Sequence, residues 1–125
     1  MKKFFICKKC GNFVGMINNS GVVMQCCGEP MTQLVASKEE SGAEKHLPDV
    51  EIDGDIVRVN VGRVPHPMTP EHYIQWVCLE TTKGAQRKKC GGYPQVTFSL
   101  VDEKPIAVYA YCNLHGLWMT KLPMV

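Results

Sequence analysis

Apolar and polar residues alternate with a period of two over much of the chain, a pattern that predicts β-strands. Val57, Val59 and Val61 alternate with Arg58 and Asn60. Further strands with one apolar face are predicted at residues 74–78, 96–100, 106–112 and 116–122. No window shows a sustained helical period, so the sequence predicts an all-β fold, a small antiparallel sandwich or barrel.

The same alternation predicts local details of this sheet region. Val50 and Ile52 precede Asp53-Gly54, a dipeptide typical of a hairpin turn. Strict alternation from residue 74 would place Ile74, Trp76 and Cys78 on one strand face. Asp102 to Pro105 predicts a further turn.

The first 37 residues follow a different pattern, with short apolar pieces separated by turn residues and cysteines. A segment below roughly 40 residues buries too little apolar surface to fold alone, and a bound metal would stabilise it. Residues 38–43 are polar and lack strand formers, which indicates a linker. We therefore predict a metal-binding domain at residues 1–37 and a β-sandwich domain at residues 38–125.

Composition and charge restrict the function classes. The chain has 125 residues, of which 45% are apolar, and a net charge of +2, which gives no argument for nucleic-acid binding. No apolar run approaches the roughly 18 residues of a membrane-spanning helix. The N-terminal stretch lacks the apolar run of about 7 residues that a signal peptide needs. We expect a cytoplasmic protein with neither nucleic acid nor membrane as a partner.

Four of the seven cysteines cluster near the start, as Cys7-x-x-Cys10 and Cys26-Cys27. An uneven number of cysteines without an export signal favours metal or redox chemistry over disulfides. Four soft thiolates select iron or zinc, and the spacing does not distinguish the two. The adjacent pair is unusual for a zinc ribbon, although a structural zinc knuckle and a vicinal disulfide remain as alternatives.

All four histidines, together with one cysteine, form a second candidate group. His46, His66, His72 and His115 each lie at a break in the strand pattern, and Cys112 precedes His115 by three residues. Loops at one end of a rigid sandwich commonly carry functional side chains. Four imidazoles and a thiolate suit iron or copper better than structural zinc, which usually has four ligands. A solvated loop histidine is the alternative for each position taken singly.

Together these segments resemble the desulfoferrodoxin family of two-iron superoxide reductases. The resemblance spans nearly the whole chain in the family's order. It rests on Cys7-Lys-Lys-Cys10-Gly-Asn, Cys26-Cys27-Gly, Glu44-Lys45-His46-Leu-Pro, His66-Pro-Met, His72-Tyr-Ile-Gln-Trp and Tyr111-Cys112-Asn-Leu-His115-Gly-Leu-Trp118.

The resemblance implies two mononuclear iron ions per chain. A rubredoxin-like iron would lie in a desulforedoxin-type domain, and a second iron in an immunoglobulin-like sandwich. The first would be held by Cys7, Cys10, Cys26 and Cys27. The second would have His46, His66, His72 and His115 in a plane and Cys112 as axial ligand. In the family, the histidine at the His115 position binds through Nδ1 and the others through Nε2.

The resemblance also implies the reaction and its partners. Superoxide would be reduced by one electron to hydrogen peroxide, with rubredoxin or a similar carrier as electron donor, in a homodimer. Lys45 would attract the anion, and Glu44 matches a carboxylate that can occupy the sixth position of the oxidised iron. The alternative is an iron- or zinc-binding, rubredoxin-like electron-transfer module without superoxide reductase activity.

Two cysteines lie outside both groups. Cys78 alternates with apolar residues, which predicts a small buried side chain. Cys90 follows three basic residues and precedes two glycines, which predicts an exposed free thiol in a basic loop at residues 87–92.

Overall fold

The computed structural model describes residues 2–37 and 40–123, and strands dominate it. The chain forms two compact units, Met1–Val35 and Ala36–Val125. This division falls after Val35, whereas the sequence predicted a boundary after residue 37. The predicted all-β class is confirmed.

The first unit contains five short strands. They are β1 (Phe4–Ile6), β2 (Phe13–Gly15), β3 (Gln25–Cys26), β4 (Glu29–Pro30) and β5 (Thr32–Gln33). The antiparallel order β2-β1-β5 makes one sheet, and β3 and β4 form a separate ribbon. Among the described residues of this unit, Phe4 and Cys7 are the buried hydrophobic ones. So small a core cannot account for the stability of the unit.

The second unit contains one short helix and two antiparallel sheets. Its elements are α1 (Ala43–His46), β6 (Pro48–Asp53), β7 (Ile56–Val61), β8 (Ile74–Thr81), β9 (Gly84–Lys88), β10 (Gln95–Ser99), β11 (Pro105–Cys112) and β12 (Gly116–Lys121). The sheet orders are β10-β7-β6 and β12-β11-β8-β9. No helix within the described part of the chain is long and apolar enough to cross a membrane.

Apolar side chains from both sheets meet in one core. Val57, Val59 and Val61 on β7 are fully buried, as the alternation predicted. They pack with buried residues of β8, β10 and β11, so the two sheets form a sandwich. This core is the rigid support for the loops at its ends.

The predicted hairpin joins β6 to β7. Asp53 pairs with Ile56, so the connecting residues are Gly54 and Asp55, one position later than the sequence predicted. Gly54 has φ 62°, which a glycine adopts without strain.

The prediction of a common face for Ile74 and Trp76 is wrong. The register between β8 and β11 shifts, since Trp76 pairs with Tyr111 while Ile74 pairs with Cys112. The extra residue, Gln75, makes a bulge that reverses the alternation. Ile74 therefore joins the sandwich core, and Trp76 stacks on Tyr111 with ring centroids 5.7 Å apart.

Candidate metal centres

Four thiols converge in the first unit. Cys7 and Cys10 lie in the segment between β1 and β2, where the Gly11 N–H donates to the Cys7 carbonyl at 2.8 Å and closes a tight turn. Cys26 ends β3, and Cys27 begins the turn to β4. The two turns thus direct all four predicted cysteines of this unit to one place.

The sulfur atoms have the spacing of a mononuclear site. All four lie within 4.8 Å of one another, with Cys10 Sγ 3.6 Å and Cys27 Sγ 4.0 Å from Cys26 Sγ. A tetrahedral ion with metal–sulfur bonds of about 2.3 Å separates its sulfurs by about 3.8 Å. A disulfide would require about 2.05 Å, so Cys26 and Cys27 are free thiols here.

Backbone conformation lets the adjacent cysteines point to the same centre. Cys27 has φ 54°, in the left-handed region, and Gly28 follows with φ 74°. For a non-glycine residue that conformation costs about 1 kcal/mol, which metal binding would offset. The Asn12 side-chain amide lies 3.6 Å from Cys26 Sγ and donates to it, which favours the thiolate.

The thiols of this group have unequal acidities. The backbone N–H of Cys10 lowers the pKa of Cys7 to about 6. Crowding by the other sulfurs, that of Cys10 first, raises the pKa of Cys27 to about 12. Four neighbouring thiolates are therefore unfavourable without a cation, and this donor set fits a bound metal ion.

The second unit brings together the other five predicted residues. His46 ends α1, His66 follows β7, His72 precedes β8, Cys112 ends β11, and His115 lies in the turn before β12. One ligand atom from each lies within 4.8 Å of every other. Segments far apart in sequence thus meet at one end of the sandwich.

The four imidazoles surround one point. Neighbouring ring centroids are 4.7 Å apart for His46–His66, 4.6 Å for His66–His72, 5.0 Å for His72–His115 and 4.8 Å for His115–His46. Opposite rings, His46 and His72, are 6.4 Å apart. Neighbouring rings are inclined by 70–78°. These values describe a nearly square set of imidazoles.

Backbone carbonyls orient two of the rings. His46 Nδ1 lies 2.7 Å from the Gly42 carbonyl oxygen, and His66 Nδ1 lies 2.7 Å from that of Pro67. A carbonyl only accepts, so each Nδ1 carries the hydrogen and each Nε2 keeps its lone pair. The Nε2 atoms of His46 and His66 are therefore the donor atoms available to a metal ion.

Unpartnered nitrogens face the centre of the set. The Nε2 atoms of His66 and His72 are buried and make no hydrogen bond with the described residues. Nδ1 of His115 lies 3.2 Å from His46 Nε2 and 3.6 Å from Cys112 Sγ, so His115 directs its Nδ1 to the centre. Buried polar atoms without partners are rare, and a metal ion would satisfy them. The donor set therefore fits an ion.

Burial keeps His46, His66 and His72 neutral. Burial makes the largest contribution to the lowered pKa values of His46 and His72. It also lowers the pKa of His66 to about 4. The charge of Lys45 lowers the pKa of His72 further, after that of His115. Neutral imidazole is the form that binds metals.

Cys112 provides a sulfur beside the imidazoles. Its side chain is fully buried, and its Sγ lies 3.6 Å from His115 Nδ1. The His115 backbone N–H donates to Sγ at 3.4 Å. Leu114 is 61% exposed and His115 is exposed, so the group lies at the protein surface on the side of this turn.

Glu44 and Lys45 are exposed residues of α1, which ends at His46. Their charges reach the histidines, since Glu44 raises the pKa of His46 while Lys45 lowers that of His72. The structure therefore places both residues beside the group, as the resemblance implied. Their catalytic roles stay a prediction.

Sequence analysis missed α1 because four residues show no helical period. The helix is held by the Val64 N–H, which donates to the Glu44 carbonyl at 2.9 Å. At Gly62, a Cβ would lie 2.7 Å from the Glu44 carbonyl oxygen and 2.9 Å from that of Leu47. A side chain at Gly62 would displace the helix, so only glycine allows the backbone to approach α1 this closely.

Trp118 supports two residues of the group. Its ring stacks on His46 with centroids 4.8 Å apart and an interplanar angle of 16°. Its Nε1–H donates to the His115 carbonyl at 3.1 Å. Sequence analysis named Trp118 only as the last residue of the motif that begins at Tyr111, without this role.

The remaining cysteines lie outside both groups. Cys78 is buried, as predicted. Cys90 is a free thiol but half-buried against the core, and burial raises its pKa to about 11, so the prediction of an exposed thiol is wrong. Arg87 and Lys88 belong to the edge strand β9 and not to the predicted loop. Sequence analysis did not predict this strand, because an exposed edge strand needs no apolar alternation.

Solved structures with this architecture define the class of protein. The superoxide reductase from Treponema pallidum is 42% identical, with a TM-score of 0.81 over 97% of this chain and 98% of that one. The superoxide reductase (1Fe-SOR) from Giardia intestinalis is 31% identical, with a TM-score of 0.52 over 65% of this chain and 99% of that one. The class is that of the superoxide reductases, with a β-sandwich as the shared fold.

The sequence comparison gives the family. The desulfoferrodoxin family model matches residues 38–121. A desulfoferrodoxin homologue from Methanothermobacter thermautotrophicus is 41% identical over 118 residues, or 93% of this chain and 95% of that relative. The chain belongs to the desulfoferrodoxin family, and the resemblance drawn from the sequence motifs is confirmed.

Proposed function

We propose that His46, His66, His72, His115 and Cys112 bind the iron at which this chain, a superoxide reductase, reduces superoxide to hydrogen peroxide. The observation that carries the proposal is the convergence of four inward-facing imidazole nitrogens and one sulfur at the protein surface. Iron supplies the single electron that each superoxide takes up. Binding, orientation and charge are the work of the chain's own residues.

The histidines keep the site attractive to an anion. As neutral ligands they add no negative charge, so the bound cation stays electropositive. The Gly42 and Pro67 carbonyls hold the rings of His46 and His66 in the tautomer that binding needs.

Cys112 has a different role from the histidines. Its thiolate would donate electron density to the bound iron and stabilise the oxidised form. The His115 N–H limits this donation by a hydrogen bond to the sulfur. The sulfur is fully buried, so solvent does not contact it.

Lys45 and Glu44 control access of anions. The exposed Lys45 ammonium attracts superoxide and stabilises the negative charge that develops during reduction. The Glu44 carboxylate, on the same helix, would be available to bind the oxidised iron in the resting enzyme. Solvent water then supplies the protons of the product.

The four-cysteine group binds a second iron, which serves in electron transport. Cys7, Cys10, Cys26 and Cys27 form a thiolate-only site whose sulfur spacing suits a tetrahedral ion. Rubredoxin or a similar carrier is the electron donor.

The assembly is a homodimer in the cytoplasm. Ile17 is 99% exposed, and Val22 and Val23 are exposed as well, in a unit with few buried residues. Exposed apolar residues grouped in this way favour an interface with a second copy of the chain.

Metal analysis and a superoxide assay test the proposal. We expect two irons per chain and rapid superoxide consumption when reduced rubredoxin is supplied, with a thiolate-to-iron absorption band from each site. One zinc or iron per chain without superoxide consumption would favour the electron-transfer module instead. Cys90→Ser is the matched control, since Cys90 belongs to neither group.

A further inference from the structure

Asn113 ties the turn between β11 and β12 to the segment that precedes β8. Its Oδ1 accepts the Tyr73 N–H at 2.9 Å, and its Nδ2 donates to the Glu71 carbonyl at 2.9 Å. Its own backbone N–H donates to the Tyr73 carbonyl at 3.2 Å. The three bonds engage the residues on either side of His72.

His72 needs such support more than its neighbours do. His46 and His66 are each oriented by a hydrogen bond from Nδ1 to a carbonyl 2.7 Å away. The His72 ring makes no hydrogen bond with any residue in the described ranges, and its Nε2 is buried. The position of this ring therefore depends on its backbone and on contacts with the rings of His66 and His115.

The hydrogen bonds of Thr69 hold this segment only to itself. Thr69 Oγ1 accepts the His72 N–H at 3.1 Å, and the Thr69 N–H donates to the His72 carbonyl at 2.9 Å. These bonds shape a local turn within residues 69–72. Asn113 links that turn to the strand end that carries Cys112, in addition to the ladder pair of Ile74 with Cys112.

We infer that Asn113 is a positioning residue, whose side-chain amide fixes His72 relative to Cys112 and His115. The inference rests on the proposed function, because the relative positions matter only if these residues bind one ion. Asn113 touches none of the ligand atoms and acts through the backbone at Glu71 and Tyr73. Loss of such outer support typically costs about 10- to 100-fold in metal affinity.

Asn113→Ala tests this directly, because it removes both side-chain bonds and keeps the backbone N–H. We expect iron affinity at the histidine site to fall by about 10-fold or more. We also expect an altered electron paramagnetic resonance spectrum of the oxidised iron there, with the four-thiolate spectrum unchanged. In the metal-free protein, the Tyr73 amide should exchange with solvent several-fold faster.

Gln86→Ala is the matched control, since it removes a side-chain amide that donates to the Ser99 carbonyl at 2.7 Å, away from the site. It should change neither the spectrum nor Tyr73 exchange. Asn113→Asp keeps the acceptor for the Tyr73 N–H but sets a carboxylate oxygen against the Glu71 carbonyl, so it should also weaken iron binding. Asn113→Asp replaces Asn113→Ala in these measurements if Asn113→Ala fails to fold.

A double-mutant cycle with His72→Ala separates positioning from general stability. If Asn113 acts through His72, Asn113→Ala has little further effect on iron affinity in the His72→Ala background. Full additivity, or an unchanged spectrum in a folded Asn113 variant, would overturn the inference. Failure of the proposed function would differ, because the unmodified protein would then lack iron at the histidine site.

Discussion

The two metal-binding groups are built on opposite principles. The four cysteines lie within one short unit whose hydrophobic core is minimal, and turns alone bring them together. The five residues of the second group come from distant segments, held by a sandwich with a large buried core. We therefore expect the first unit to depend on its metal for its fold, and the second unit to hold its ligands in place before a metal binds.

Loss of one thiolate should give the largest difference in stability between the two units. In Cys26→Ser we expect the first unit to unfold, since structural metal binding contributes on the order of 10 kcal/mol to small domains. The second unit should keep its iron, because its core is independent. Amide hydrogen exchange resolved by segment measures both effects.

Cys90→Ser is the control for that experiment, since its half-buried thiol belongs to neither group. Protection of residues 2–35 in metal-loaded Cys26→Ser at the level of the unmodified protein would contradict the comparison.

Cys112→Ser is the corresponding change in the second unit. We expect the thiolate-to-iron band of the histidine site to disappear and superoxide reduction to stop, because serine is a poor donor to iron. The fold should survive, since the sandwich core does not rely on the metal. Absorption spectra and thermal unfolding measure this, and a retained band with normal turnover would show that Cys112 is no ligand.

The metal-free second unit should lose stability in acid. Burial lowers the pKa of His66 from 6.5 to about 4 and also lowers that of His46 and His72. Each unfolded histidine therefore takes up its proton at higher pH than the folded one. The stability is fully present above pH 6.5 and declines as the pH falls toward about 4, the pKa of folded His66.

Urea unfolding of the metal-free protein at a series of pH values measures this loss. His66→Gln should flatten the profile, because glutamine does not titrate. A profile that keeps its slope in His66→Gln would contradict the assignment.

Lys45→Ala should give the smallest of these effects. We expect a several-fold slower reaction with superoxide and a weaker dependence on ionic strength, because one attractive charge is lost. Stopped-flow rates across a salt series measure it. Lys83→Ala, an exposed lysine in the turn after β8 at the far end of that strand from His72, should leave the rate unchanged. Equal salt dependence in Lys45→Ala and the unmodified chain would remove Lys45 from the mechanism.

Local patterns in the sequence predicted much of this molecule. Alternation identified β7, because alternate residues of a strand face the same side. It failed at Gln75, because a bulge depends on the partner strand. It also missed α1, which is seated by a close approach to Gly62.

The sequence by itself determined the chemistry of the donors: soft thiolates grouped early in the chain, and imidazoles at breaks between strands. Only the tertiary structure decided that those imidazoles meet, which ring nitrogen each presents, and that Asn113 brackets His72. The physical reason is the distance along the chain over which each feature is determined. Residue type and local spacing are written along the chain, whereas convergence of distant segments depends on how two sheets pack and where their loops are tied.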